Sequence, residues 1–323
     1  MMKIIEEGLH TTIQDLGRVN YQSYGFSPGG PMDKTAMRIG NYLVGNEDNE
    51  AVLEMCFIGP TIEFTCDSVI AVTGAEMTAF LNGKELQLHR PVPVFKGDNL
   101  QCRACKKGIY AYLSVKGGIR VEKRLGSRSM IARYNGDDFL ARKIKNNDQL
   151  PIQPFAVSKA INWKLNDRIF NYIQKEETVV RFLNGAQFDW FADNGLSDIN
   201  WKISPKSNRM GYRLIGDRVI ETIHDKQLLT EPVQFGAIQI PPDGMPIILM
   251  ADGQPTGGYP KIGQVIQADL PKLSQLTPAK SVKLERCTME SAIRELKSQE
   301  NFLSQLKQIM LYRWREIGDG IKL

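Results

Sequence analysis

The sequence predicts a mainly β protein with a few helices, built as two β-rich halves and ending in a long C-terminal helix. Three observations predict it. Short apolar runs recur between Gly, Pro, Asn and Asp, the rhythm of a β-meander or barrel. Asn82-Gly83 stands between two such runs and has the chemistry of a two-residue type I′ hairpin, whose turn residues both take positive φ. Helical spacing of apolar residues, by contrast, shows in only two stretches.

Taken in order, strands are expected over 53–57, 61–64, 69–72, 77–81, 92–95 and 109–115. One helix precedes them: Asp33 can cap it, Ala36, Met37, Ile39, Gly40 and Leu43 give it one face, and Gly45 can end it. The pattern weakens after Leu140, and Asn146-Asn147-Asp148 with Pro151 and Pro154 marks a boundary. These features set a first domain over 1–145, a linker region over 146–175 and a second domain over 176–323. Strands of the second are expected over 178–183, 201–204, 234–240, 246–250, 264–267 and 281–285. Met289, Ile293, Leu296, Leu303, Leu306, Met310 and Trp314 then fall at helical spacing between a Thr288 cap and Gly318. This helix is expected to pack on the second half. No clear sequence repeat relates the two halves.

At roughly 100–200 residues per domain, 323 residues allow two domains with ample core volume. Apolar residues at 42% and charged residues at 24% exclude long disorder, collagen-like sequence and a coiled-coil rod. Lys and Arg number 41 against 36 Asp and Glu, and the resulting +5 is too small and too scattered for a nucleic-acid or anionic-membrane surface. Small-molecule or protein partners fit better. The longest strictly apolar run, 247–251, is far short of the roughly 20 residues that span a bilayer. Acidic Glu6 and Glu7 stand where a signal peptide would carry its apolar core. The five cysteines, Cys56, Cys66, Cys102, Cys105 and Cys287, are odd in number and widely spread. Such usage suits a reducing compartment, and a cytoplasmic location is expected.

Cys102-Arg103-Ala104-Cys105 has zinc-ligand or redox spacing, yet there is no second such pair and no histidine nearby in sequence. A structural zinc needs four ligands, so two unligated thiols at a strand end, and no metal, are expected. His10, His89 and His224 form no HxxxH or HExxH pair. His10 alone lies in a stretch dense in polar groups, residues 8–18, and is a candidate substrate contact. The chain has no GxxxxGK[ST] loop, no GxGxxG between strand and helix, and no GxSxG elbow. It has no Met-Lys-Met either, so it is not its own biotin carrier.

Four Gly-rich, polar blocks remain. The first joins residues 11–18, 21–25 and Pro28-Gly29-Gly30-Pro31-Met32-Asp33, and the second joins 114–119 with Leu125-Gly126-Ser127-Arg128-Ser129. The third, Ser207-Asn208-Arg209-Met210-Gly211-Tyr212-Arg213-Leu214, holds two arginines four residues apart. The fourth joins Gly236-Ala237-Ile238-Gln239-Ile240-Pro241 with an apolar strand that empties into Asp252-Gly253-Gln254-Pro255-Thr256-Gly257-Gly258-Tyr259-Pro260-Lys261-Ile262. It places a carboxylate, an amide, a hydroxyl, a phenol and an ammonium on one loop, and Gly257-Gly258 lets backbone N–H groups approach an oxyanion closely. Reactive loops carried by a rigid strand are where sites usually lie. The alternative reading is a barrel corner in which Asp252 and Lys261 form a solvated pair.

These blocks, in this order and from about Gly8 to Pro271, resemble the family described as the C component of 5-oxoprolinase, as KipA-like, or as allophanate hydrolase subunit 2. Relatives of it supply one half of the carboxyltransferase domain of biotin-dependent urea carboxylase. The resemblance implies a cyclophilin-like β-barrel architecture. It also implies membership of an ATP-dependent 5-oxoprolinase, a hydrolase opening 5-oxoproline to glutamate. Implied partners are a KipI-like protein (the B component of 5-oxoprolinase) and a LamB/YcsF-like protein (its A component). Under this reading Lys261, Arg209 and Arg213 stabilise oxygen anions and Gly257 and Gly258 supply backbone donors. Asp252 acts as a base or an orienter, Tyr259 donates a hydrogen bond, and Gln254, Thr256 and His10 complete the substrate contacts. Two other readings stand beside it: a carboxyltransferase subunit for urea or a related amide with biotin as cofactor, and a non-catalytic regulator of a KipI-like partner. The family usually has Asp where this chain has Asn208, and Thr where it has Pro255.

Overall fold

A computed structural model describes residues 1–131, 136–156, 161–173, 177–191, 195–223 and 227–317. The chain divides into two units, one of Met1–Arg18, Asp33–Gln174 and Glu300–Leu323, the other of Val19–Met32 and Lys175–Gln299. Among the described residues no helix is long and apolar enough to cross a membrane.

The first unit carries β1 (Met2–Glu6), β2 (His10–Gln14), β3 (Val52–Cys56), β4 (Thr61–Phe64), β5 (Ser68–Leu81), β6 (Lys84–Glu85), β7 (Val92–Val94), β8 (Asn99–Val115) and β9 (Gln149–Leu150). They form a nine-stranded sheet in the order β2-β3-β8-β4-β1-β9, with β5 paired to β6, β7 and β8. The Asn82-Gly83 hairpin is present: φ is +52° and +77° at the two residues, and Leu81 faces Lys84 across it. Two strands are longer than the sequence rhythm suggests. β5 runs 14 residues where two short strands are expected, and β8 runs 17 where only 109–115 is expected. Gly74 and Gly108, at φ +87° and +79°, read as breaks in the sequence. The β5–β8 ladder instead passes Gly74 to Ala79 through register shifts, the extra residues being absorbed as bulges. Cys102 and Cys105 therefore lie inside β8 rather than at a strand end.

Alternation along these strands sorts two rows of side chains to opposite faces. Ile13, Leu53, Leu113 and Val72 lie side by side across β2, β3, β8 and β5 and belong to the apolar core. The next row, Thr12, Glu54, Tyr112 and Thr73, points the other way and is buried too. The helix α1 (Lys34–Leu43) lies on that face. Thr73 Oγ1 donates to the Ala36 carbonyl at 2.8 Å, the Asp33 N–H donates to Tyr112 Oη at 2.8 Å, and Tyr112 donates to Glu54 at 2.8 Å. Asp33 caps the helix as expected, its Oδ1 accepting from the Ala36 N–H. Gly40 has to be glycine: a Cβ there would stand 2.5 Å from Ser114 Oγ.

The second unit carries β10 (Thr178–Asn184), β11 (Asn200–Ile203), β12 (Gly211–Ile215), β13 (Glu231–Pro232), β14 (Ala237–Gln239), β15 (Ile247–Leu249), β16 (Thr256–Gly257), β17 (Lys261–Val265), the short α2 (Leu270–Ser274) and β18 (Ser281–Arg286). Its core is a closed barrel in the order β10-β17-β14-β15-β12-β11-β18, and β13 and β16 pair apart from it. Trp201, Phe182, Ile238, Ile248, Ile262 and Val282, fully buried, help fill it.

The helix α3 (Met289–Glu316) starts at Thr288, whose Oγ1 accepts from the Ser291 N–H at 3.2 Å. Gly318, its expected stop, and His224 lie outside the described residues. The expectation that this helix packs on the second half is corrected: from Glu300 onward it belongs to the first unit. Arg38 pairs with Glu300 at 2.7 Å, Lys307 with Asp48 at 2.7 Å, and Trp314 Nε1 donates to the Leu43 carbonyl at 3.1 Å. Leu303, Leu306, Met310 and Trp314 are buried, whereas Met289 and Ile293 at the start of the stripe are exposed. Spacing marks an apolar face; it does not say what covers it.

Candidate functional site

The third and fourth polar blocks meet in the second unit. Arg209 sits in the tight turn before β12, where Asn208 and Gly211 exchange backbone hydrogen bonds of 3.1 and 3.2 Å. Asn208 Oδ1 accepts from the Met210 N–H at 2.8 Å, a contact that an aspartate would also make, so the turn survives the exchange at 208. Beyond β15 the chain runs alongside this turn. The Met250 N–H donates to the Met210 carbonyl at 3.1 Å, and the Asp252 N–H to the Arg209 carbonyl at 2.9 Å. That places the two side chains face to face, with Arg209 Nε 2.6 Å from Asp252 Oδ2 and Nη2 2.8 Å from Oδ1. Arg209 Nη2 also donates to the Gly30 carbonyl at 2.8 Å, and Ser27 Oγ to the Gly253 carbonyl at 2.7 Å. Ser27 and, from the first polar block, Gly30 thus close over the start of the loop.

The loop then pairs with β13, Gly257 opposite Glu231 and Thr256 opposite Pro232. The Pro255 carbonyl accepts from the Val233 N–H at 2.9 Å, so a proline is compatible with this ladder. Gly257 is buried, and a Cβ on it would stand 2.8 Å from Gln239 Nε2 and 3.0 Å from Gln254 Nε2. Lys261 opens β17. Its ammonium lies 2.6 Å from Glu231 Oε1 and donates to the Pro232 carbonyl at 3.2 Å, with the side chain 16% exposed. Gln187 braces the pair: its Oε1 accepts from the Lys261 N–H at 3.0 Å, and its Nε2 donates to Glu231 Oε1 at 3.0 Å.

Asp252 and Lys261 therefore do not form a solvated pair. Asp252 is tied to Arg209, and Lys261 to Glu231. Thr256, Gly258 and Tyr259 are exposed on the same loop, with Gln254 half-buried. Arg213 is exposed on β12, its N–H donating to Ser207 Oγ. His10, opposite Cys56 at the start of β2, belongs to the first unit. No motif marks Glu231 or Gln187 in the sequence, and only the fold brings them to Lys261. Chemically, the cluster offers a held ammonium, a carboxylate, several carboxamides, a hydroxyl and a phenol. These are groups suited to a small polar substrate carrying a carbonyl oxygen.

Among the described residues no group of three or more His, Cys, Asp or Glu could hold a metal ion. Burial pushes the Cys102 and Cys105 thiols up to about 12, far from the thiolate that binds metals or reacts.

The model of the carboxyltransferase domain, subdomain A and B, matches residues 24–286. The C component of 5-oxoprolinase from Escherichia coli (strain K12) is 33% identical over 309 residues, covering 95% of this chain and 97% of that relative. The Haemophilus influenzae protein of the same name is 34% identical over 314 residues, covering 96% and 99%. The crystal structure of the K. lactis urea amidolyase superposes with a TM-score of 0.85 and 28% identity over 94% of this chain, which spans only 20% of that one. The barrel, the paired loops and these matches agree, and the chain belongs to the carboxyltransferase domain family, subdomain A and B.

Proposed function

We propose that the chain is part of an ATP-dependent 5-oxoprolinase complex that hydrolyses 5-oxoproline to glutamate, active together with a KipI-like and a LamB/YcsF-like partner. What carries the reading is the end-to-end match. The chain spans 97% and 99% of two relatives named as the C component of 5-oxoprolinase, against a fifth of the urea amidolyase. In the reaction the lactam C–N bond breaks, water supplies the hydroxyl to the carbonyl carbon and a proton to the ring nitrogen, and a second water takes up the γ-phosphoryl group of ATP, giving ADP and phosphate. ATP is a co-substrate of the complex, and the chain has no P-loop, so the roles below concern its own residues only.

Lys261 is the group that stabilises oxyanion charge, since its ammonium is held in place by Glu231 and Pro232 rather than left mobile. Gly257 and Gly258 supply backbone donors, and Tyr259, Gln254, Thr256 and Arg213 supply further contacts to the substrate. Asp252, locked on Arg209, takes the role of orienter: the buried pair fixes where the loop leaves β15. His10 belongs to the first unit and is given no role at this loop.

A second reading draws on the TM-score of 0.85 to the urea amidolyase. In it the chain is one half of a carboxyltransferase that moves CO2 from carboxybiotin, carried on another chain, to urea. Reconstitution with the KipI-like and LamB/YcsF-like partners separates the readings. ATP- and 5-oxoproline-dependent glutamate release is expected from the complex and not from the chain alone. Robust turnover by the isolated chain would overturn the shared-complex idea. Carboxylation of urea on addition of a carboxybiotin-loaded carrier, without 5-oxoproline hydrolysis, would move the chain to the second reading, and a complex equally active without this chain would leave it a regulator.

A further inference from the structure

Gln239, on β14, is 2% exposed. Its Nε2 is shut off from solvent and has no hydrogen-bond partner among the described residues. None of them bonds its Oε1 either, and that oxygen is not sealed in. Buried polar groups are nearly always bonded, so each exception calls for a reason. A carboxamide that the fold leaves unbonded has no structural duty, and sites are where folds keep such groups.

Its neighbours are the groups of the loop. Gln239 stands directly opposite Lys261 across the β14–β17 ladder, and facing residues of an antiparallel pair put their side chains on one side of the sheet. A Cβ on Gly257 would fall 2.8 Å from Gln239 Nε2 and 3.0 Å from Gln254 Nε2, so only a missing side chain lets the two carboxamides meet over this backbone. Gln254 is half-buried, and no described residue bonds its carboxamide. An ammonium has three hydrogens, and on Lys261 Glu231 and the Pro232 carbonyl take two of them. One corner thus holds an idle acceptor on Gln239, an idle donor on Gln254 and the third hydrogen of Lys261. Thr256, Gly258 and Tyr259 beside it are exposed, so the corner lies at the surface.

A cis amide matches these groups. An open-chain amide is trans, whereas a small ring holds its amide cis, and N–H and C=O then leave along the same edge. Resting on the 5-oxoprolinase reading above, we propose that Gln239 is the residue that selects a lactam: its Oε1 accepts the ring N–H while Lys261 and Gln254 Nε2 donate to the adjoining carbonyl. Gln239 makes and breaks no bond in the reaction. It discriminates, because a ketone, a lactone or an N-substituted lactam offers no hydrogen and leaves the Gln239 oxygen covered without a donor.

The test is a calorimetric titration of the reconstituted complex, with ATP left out, by 5-oxoproline and by 3-oxocyclopentanecarboxylate, a ketone in which CH2 replaces the ring N–H. Wild type should bind the lactam about tenfold or more tighter than the ketone. Gln239→Leu should bind the two alike. It should also melt no lower than wild type, because leucine fills much of the same space and removes the idle donor. Gly257→Ala, whose added methyl falls against both carboxamides, should lose the preference as well. A preference kept in Gln239→Leu, or equal binding of the two probes by wild type, would overturn the assignment. A sharp fall in the melting temperature of Gln239→Leu would instead make Gln239 a structural residue. Any of these results in a complex that hydrolyses 5-oxoproline leaves the 5-oxoprolinase reading standing. A complex that neither binds nor hydrolyses 5-oxoproline sinks that reading and this assignment together.

Discussion

Arg209 grips Asp252 with two parallel hydrogen bonds, 2.6 and 2.8 Å long, between side chains that are both more than nine-tenths buried. The pair spans the turn before β12 and the exit of β15, so it sets the geometry of everything the loop carries onward to Lys261. Breaking one partner leaves the other charged and buried. Arg209→Met or Asp252→Asn should each cost about 3–5 kcal/mol, read as a fall in the denaturation midpoint. The double variant should recover part of it, and additive losses would count against a coupled pair.

Lys261→Met keeps the apolar stem and deletes the charge. If Lys261 meets an oxyanion, turnover of the reconstituted complex should drop on the order of a hundred- to a thousand-fold. Lys283→Met, on the exposed face of β18, is the control. Lys272 would serve badly, being 3.0 Å from the buried Asp269. Equal, small effects at 261 and 283 would return the loop to a structural corner. Glu231→Gln, which leaves the ammonium but loosens its hold, should fall between the two.

Thiol chemistry offers a third check. With Cys102 and Cys105 pushed up to about 12 by burial, neither should react with iodoacetamide at neutral pH in the native state. Replacing both by Ser should leave the activity of the complex nearly intact. Rapid native labelling of Cys102 would contradict its close packing on β8 against Gly59.

Asp269 gives an acid-side prediction. Burial acts to raise its pKa, but hydrogen bonds from Arg181 and the charge of Lys272 outweigh that and hold it below 3.8. A carboxylate depressed in the folded state contributes stability above its unfolded pKa and loses it as pH falls through the folded value. The melting temperature should therefore be level at mildly acidic pH and decline below about pH 4. Asp269→Asn should lower the melting temperature at neutral pH and shallow that acid decline. Asp48 and Asp148, with Glu7, Asp167 and Glu290, are lowered likewise and contribute to what slope remains.

Trp314 is fully buried with Lys116 Nζ 3.8 Å over its ring. Trp314→Ala should cost about 3–5 kcal/mol, measured by denaturant titration. A loss near zero would mean that the end of α3 is not docked on α1.

Much of the fold is legible in the sequence because local chemistry decides it. Asn82-Gly83 can turn only one way, Asp33 precedes a helical face it can cap, and Thr288 starts the last helix. β5 and β8 look short in the sequence because Gly74 and Gly108 resemble punctuation, and only the partner strand shows that the ladder continues past them. At the candidate site the loop from Asp252 to Lys261 is visible as a run of reactive groups. Its braces are not. Glu231 and Gln187 lie 30 and 74 residues before Lys261 in the sequence, and His89 meets Asp167 across a gap of 78, distances over which a single sequence carries no pattern.

The ties of Arg38 to Glu300, Lys307 to Asp48 and Trp314 to Leu43 have a consequence for how the molecule is made. On a ribosome, residues 34–48 emerge long before their helical cover is translated. Arg38, Asp48 and Leu43 must then wait without Glu300, Lys307 and Trp314 while the whole barrel unit is synthesised. The amino-terminal sheet is thus the first part of the protein to be made and the last to be finished. A nascent chain arrested before residue 300 should yield the barrel's fluorescence and protease resistance but leave the α1 region open to cleavage until the final helix arrives.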